Sequence, residues 1–186
     1  MNTDDLRVQR THRLLREALI ALISELGYDN VTIRHITDRA QVGYKTFFRH
    51  FESKEALLNT VIERLVAEFE RVVLSPDQPL ASEINTINAV HFAEKHATVL
   101  LAALHSPASD QLLKPFIAFA HREGQRTYIG SNLPDELVIH HFASSVFDLL
   151  GWWLDNDRPY PPEEMAEYIN QLLIRPLGSV LNAPDT

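Results

Sequence analysis

The sequence predicts an all-α protein, and three observations predict it. Apolar residues recur at spacings of three and four through most of the chain. Residues 31–58, VTIRHITDRAQVGYKTFFRHFESKEALL, hold two short helical patterns parted by a few turn residues and followed at once by the start of a third helix. Glycine and proline fall between the periodic segments at Gly27, at SPDQP from residue 75, at Ser106-Pro107, from Gly130 to Pro134 and in DNDRPYPP, where they punctuate helices.

The first helix spans about residues 8 to 26, because Leu15, Ala18, Leu19, Leu22 and Leu26 form one stripe that Gly27 ends. Thr32 is placed to cap a second helix through about Arg39, with Ile33, Ile36 and Ala40 inward. Gln41, Val42 and Gly43 make the turn. In the third helix, about Gly43 to Phe51, Phe47 and Phe51 share the face that packs on the first helix. Tyr44 and Phe48 share another, with Lys45 and Arg49 beside them. Ser53 caps a long fourth helix striped by Leu58, Val61, Ile62, Leu65 and Phe69. Helical texture resumes at about 80–95, 96–105, 109–130 and 135–155. A last helix starts near Pro162, where Glu163 and Glu164 complement its dipole, and Pro176 ends it. The expected domains are 1–52, a linking helix over 53–74, and 75–186.

A second helix held across a first by a tight turn has the size of the DNA major groove, where base edges carry distinct donor and acceptor patterns. The net charge of −8 opposes that reading until it is divided along the chain. Residues 7–54 carry nine Lys or Arg against five acids, whereas residues 75–186 carry six against fourteen. A phosphate-facing head on an acidic body has this asymmetry, since the local field governs counterion release. The absence of cysteine excludes disulfides and thiolate metal sites. The polar start MNTDDLRVQRTHR does not read as a signal peptide, and no window reads as the ~20 apolar residues of a membrane span, so a cytoplasmic protein without a membrane partner is expected.

Ala40, Val42, Thr46, Phe47, Arg49, Phe51, Ser53, Lys54, Glu55 and Leu57 fall in the recurring pattern of a family of bacterial one-component regulators, and the chain resembles the TetR family over roughly residues 9–66. More weakly, WWLDNDRPYPPEEMAEYINQLL is similar to the last two helices of one branch of that family. The resemblance implies a homodimeric transcriptional regulator, a repressor released from duplex operator DNA by a small-molecule effector. It implies Tyr44 and Lys45 at base edges or adjacent phosphates, Thr46 at either, and Phe48, Arg49 and His50 along the backbone. Thr32, Arg34 and Lys54 complete the expected DNA-facing set, Lys54 beside the helix start at Ser53. Three residues depart from the pattern. Gln41 replaces the usual turn glycine, Gly43 replaces a Ser-type cap, and Phe48 replaces a frequent Tyr. The first two changes read as a glycine moved within the turn.

In the body, the segments 135–155 and 162–174 are apolar over more than one face, so pairing of two copies is expected through Phe142, Val146, Trp153, Ile169, Leu172 and Leu173. An effector pocket is expected among Phe92, His96, Phe116, Phe119 and His121, with Asp148, if buried, in need of a polar partner. His91 and His96 stand five apart and His140 and His141 are adjacent. Neither pair has the i, i+4 spacing of a helical metal site, and no metal or cofactor is expected. No nucleophile with a base, phosphate loop or organised carboxylate pair points to an enzyme, so no catalytic residue is assigned. The rival reading is an activator or co-regulator that works through a protein partner.

Overall fold

The computed structural model describes residues 3–73, 78, 81–105, 109–127 and 133–176. Among these residues the regular structure is helical, with no strand. The chain divides into two compact units, Met1–Arg64 with Thr98–Ser109, and Leu65–Ala97 with Asp110–Thr186. This division cuts the fourth helix after Arg64, inside the segment expected from sequence to link the two domains.

The first unit begins with α1 (Thr3–Leu26), which starts five residues earlier than the apolar stripe predicts. Leu15 and Leu19 are fully buried, with Ala18, Leu22 and Ile23 beside them. Gly27, at a φ of 74° that a side chain would resist, leads into a 3-10 turn over Tyr28–Asn30. Helix α2 (Ile33–Ala40) packs on α1. Its cap is reciprocal: the Thr32 hydroxyl accepts from the His35 N–H at 3.1 Å while the Thr32 N–H donates to His35 Nδ1 at 3.4 Å. An imidazole thus fills the role that Glu or Gln usually plays in a capping box.

In the turn after α2, Gly43 stands as the N-cap of the next helix, while the left-handed position falls to Gln41. Gln41 itself is left-handed, at φ 53° and ψ 40°. Its N–H donates to Asp38 O, and the Val42 N–H reaches back to Thr37 O at 3.0 Å. That is the hydrogen-bond pattern of a helix closed by a left-handed residue, the place where glycine costs least. Gly43 has a φ of −61°, open to any residue. The glycine has therefore not moved to the position that needs it. Helix α3 (Tyr44–His50) follows, with Phe47 wholly inside. Helix α4 (Lys54–Val72) is capped by Ser53, whose Oγ accepts from the Ala56 N–H at 3.1 Å. Leu57, Leu58, Val61 and Ile62 line its buried side in this unit. Full burial stabilises each such side chain by about 1.5–3 kcal/mol, so the short α3 is held mainly by packing of Phe47 and Phe51.

The remaining helices are α5 (Glu83–Lys95), α6 (Ala97–Leu104), α7 (Ser109–Thr127), α8 (Asp135–Asp155) and α9 (Pro162–Ile169), which continues as a π turn over Asn170–Ile174. In the second unit α5 lies against both α8 and α9. Ser82 caps α5 by accepting from the Asn85 N–H, and Pro162 occupies the first turn of α9, as its sequence position predicts. Trp153 is enclosed, and its indole N–H donates to Tyr160 O at 2.9 Å, which ties the loop before α9 to α8. By length and composition alone α8 is apolar enough to cross a membrane, where the sequence reading found no such window. Its Asp148 is exposed, so it has no need of the buried partner considered for it.

Candidate nucleic-acid interface

Helix α3 owes its orientation to two rings on one side. Phe47 and Phe51 are buried, and the Phe51 ring meets His12 of α1 at 4.8 Å between centroids. A helix anchored so presents its opposite side outward. Tyr44 is 54% and Phe48 47% exposed, and their rings meet edge to face at 5.2 Å. Lys45 and Arg49 are exposed next to them, and Thr46 is half-buried. Of the expected set, α3 thus brings Tyr44, Lys45, Phe48 and Arg49 together on one open surface. Thr32 and Arg34, at the start of α2, are exposed as well.

Two expected contacts are placed differently. Lys54 is half-buried, donates from Nζ to Tyr28 O at 2.9 Å and lies 4.1 Å over the centre of the Tyr28 ring. It holds the start of α4 to the turn after α1. His50 is half-buried, and its Nδ1 lies 3.2 Å from Nε2 of His12. Burial lowers the pKa of His12, and the neighbouring His50 and Arg16 lower it further.

The cations of this unit sort by what they touch. Arg39 forks onto Glu25, with Nη1 donating at 2.9 Å and Nη2 to the other carboxylate oxygen. That bond lowers the Glu25 pKa and raises that of Arg39. Arg13 pairs with Glu17 at 3.4 Å. Arg7, Arg10, Arg16, Arg34, Lys45 and Arg49 make no ion pair among the described residues. An exposed aromatic pair flanked by unpaired cations on a helix can both follow a phosphate backbone and reach base edges.

In the second unit, four of the residues expected to line a pocket converge. The Phe69 ring is met edge to face by Phe92 at 5.2 Å, Phe116 at 5.1 Å and Phe119 at 5.5 Å. His96 lies against Phe92 and is 3.3 Å from Glu68 Oε1. Burial pushes the His96 pKa down while Glu68 pulls it up, and the net direction is down. His121 is half-buried. Phe69 is the hub that sequence reasoning placed only in the α4 stripe. Its signal was present, but nothing local shows that rings from α4, α5 and α7 share one point. Among the described residues no group of three or more His, Asp or Glu is arranged to hold a metal.

The expected pairing residues divide. Trp153 and Ile169 are 0% exposed and Phe142 is buried, so the first two are core of the chain itself and out of a partner's reach. Val146 and Leu173 are half-buried, while Leu172 is 61% exposed. Leu137 and Trp152 are exposed too. Leu133, Leu137, Phe142, Leu172 and Leu173 line an open apolar groove of about 400 Å³.

Residues 15–61 match the profile of bacterial regulatory proteins of the tetR family, and residues 83–175 match that of a transcriptional regulator C-terminal region. The chain belongs to the TetR family of transcriptional regulators. Among its relatives, YxbF of Bacillus subtilis, an HTH-type transcriptional regulator, is 28% identical over 91% of this chain and 46% of its own length. The HTH-type transcriptional repressor KstR of Rhodococcus jostii is 41% identical over 34% of this chain and 28% of its own. The chain thus spans less than half the length of these curated relatives. A TetR transcriptional regulator from Streptococcus agalactiae has the same fold, with a TM-score of 0.68 at 24% identity over 92% of this chain and 98% of that one. The TetR match in the head covers α2, α3 and their turn, Gln41 included.

Proposed function

We propose that this TetR-family protein binds duplex operator DNA through α3 as a homodimeric repressor and that a small molecule bound in its C-terminal half releases it. The observation that carries the reading is the open face of α3, where Tyr44, Lys45, Phe48 and Arg49 stand outward from a helix anchored by Phe47 and Phe51. Lys45 and Arg49 supply charge to phosphates, and Tyr44, at the start of the helix, reaches base edges. Thr32 and Arg34 contact the backbone beside them. KstR, a repressor by name, matches this chain over its aligned 64 residues, which supports the sign of regulation.

Dimerisation is supported by Leu137, Trp152 and Leu172, large apolar side chains left exposed on α8 and the turn after α9. A two-fold pairing would set recognition helices on successive major grooves, about 34 Å apart. The aromatic cluster at Phe69 is the proposed effector region. A ligand can release DNA only to the extent that it binds the non-binding form more tightly, and operator must weaken its binding by the same factor.

The experiment is selection of bound sequences from a random duplex library, followed by titration of the selected site at several salt concentrations. Tight binding of one palindromic sequence by two protomers, with affinity that falls steeply with salt, is the expected result. Failure to enrich any sequence, together with salt-independent binding, overturns the reading in favour of a regulator that acts through a protein partner.

A further inference from the structure

A second concentration of positive charge in the first unit lies between α1 and α4. An open groove of about 500 Å³ is lined by Arg10, His12, Arg13 and Arg16 of α1 and by Arg64 of α4, with Leu6 and Gln9. Arg10, Arg13 and Arg16 are three residues apart, which keeps them along one flank of α1. The carboxylate that answers them is Glu17, paired with Arg13 at 3.4 Å and close enough to Arg16 to act on it. Arg10, Arg16 and Arg64 form no ion pair among the described residues.

The two helices therefore hold guanidiniums against one another. Arg16 is partly buried, and burial together with the Arg64 charge lowers its pKa. Like charges brought together in a groove repel, and the arrangement raises the local positive potential where solvent can still enter. Guanidinium forks fit phosphoryl oxygens in a two-bond geometry that lysine cannot reproduce, and all four cations lining this groove are arginines.

We propose that this groove is a phosphate-binding site, in which Arg16 and Arg64 grip one phosphoryl group while Arg10 and Arg13 hold a neighbouring one. The phosphates come either from a nucleic-acid backbone or from a free polyphosphate. The proposal does not rest on the DNA reading of α3, because the groove is built from α1 and α4. Its occupancy reaches α3 through His12, which lines the groove and is bonded to His50.

The test is calorimetric titration of the full chain with inorganic tripolyphosphate at low salt, in wild type and in Arg16→Gln/Arg64→Gln. A matched charge control is Arg71→Gln/Lys114→Gln, two exposed positions outside the groove. Wild type and control should bind alike, and the groove variant at least about tenfold more weakly, as expected for losing charge-assisted bonds. Arg16→Lys/Arg64→Lys, which keeps the charge and lowers the risk of misfolding, should fall between them. Imidazole NMR signals of His12 and His50 should shift on titration in wild type only where the groove is intact. In a second arm, the salt slope of duplex binding is compared. A backbone source predicts a slope shallower by roughly two in the glutamine variant, at ~0.9 per phosphate. A free polyphosphate predicts lost tripolyphosphate binding with the slope unchanged. Equal tripolyphosphate affinity in the groove variant and the charge control overturns the proposal. So does the absence of tripolyphosphate binding in wild type together with an unchanged duplex slope in the variant.

Discussion

The ammonium of Lys54 caps the Tyr28 carbonyl at 2.9 Å and covers the Tyr28 ring at 4.1 Å, so the first residue of α4 is bound to the turn that follows α1. The hydroxyl of the same tyrosine donates to Glu55 at 3.3 Å, and burial with Glu55 pushes the phenol pKa well above its usual value. Tyr28 is thereby gripped by two successive residues of α4. Lys54→Met should lower unfolding free energy by about 1–2 kcal/mol, the sum expected for a charged hydrogen bond and a cation–π contact. Duplex affinity of the folded variant should keep its salt slope, measured by fluorescence anisotropy. A slope reduced by about one would return Lys54 to the phosphate contacts.

Lys45 and Arg49 are exposed and make no ion pair among the described residues, so their loss should cost binding rather than folding. Lys45→Ala/Arg49→Ala should keep the wild-type melting transition within about 0.5 kcal/mol and flatten the duplex salt slope by roughly two. Tyr44→Ala should instead change the preference among operator variants. An equal loss on every sequence would make Tyr44 a backbone contact.

Gln41 and Gly43 offer a paired test of the turn. A left-handed conformation costs a residue with a side chain about 1–2 kcal/mol, so Gln41→Gly should be neutral to stabilising by up to about 1 kcal/mol once the added chain entropy is counted. Gln41→Ile, β-branched at the same angles, should destabilise by about 1–2 kcal/mol. At Gly43 an added Cβ would meet Thr46 Oγ1 at an ordinary 3.5 Å. Gly43→Ser should therefore stabilise α3 by about 0.5–1 kcal/mol, through the cap and the stiffer unfolded chain. Urea unfolding of the three variants checks both signs.

The His12 pKa lies below its ordinary value of 6.5 in the folded chain, through burial first and then the charges of His50 and Arg16. The unfolded chain therefore takes up a proton at a pH where the folded one does not. This part of the stability is present in full above about 6.5 and is lost as pH falls from there toward the lower folded value. His12→Gln should reduce the pH dependence of unfolding in that window. His96 is shifted the same way and will keep its share of the slope, so a variant slope identical to wild type would show that His12 contributes none.

Leu172 and Trp153 separate association from folding. Leu172→Glu places a charge on a side chain that is 61% exposed and should yield monomers in analytical ultracentrifugation without loss of helicity. Trp153→Ala empties a fully enclosed site and should cost about 3–5 kcal/mol of stability. Dimers that persist with Leu172→Glu and Leu137→Glu combined would move the interface elsewhere.

The order and type of the helices, the caps at Thr32 and Ser53, and the inward Phe47 and Phe51 against the outward Tyr44 and Phe48 were legible in the sequence. Each depends on spacing within one helix or on a residue a few positions from its partner, and the 3.6-residue period settles such relations before any packing. Tertiary structure alone decided which cations are spent. Arg39 meets Glu25 across 14 residues and Lys54 meets Tyr28 across 26, separations that no local pattern relates. It also decided which of two adjacent tryptophans is inside. Residues 152 and 153 differ by about 100° around α8, and the stripe of a helix apolar on several sides does not single out one of them. The meeting of Phe69 with Phe92, Phe116 and Phe119, and of Arg16 with Arg64, likewise follows from where the helices pack. Periodicity gives the face a residue occupies, and only the packed chain gives what that face touches.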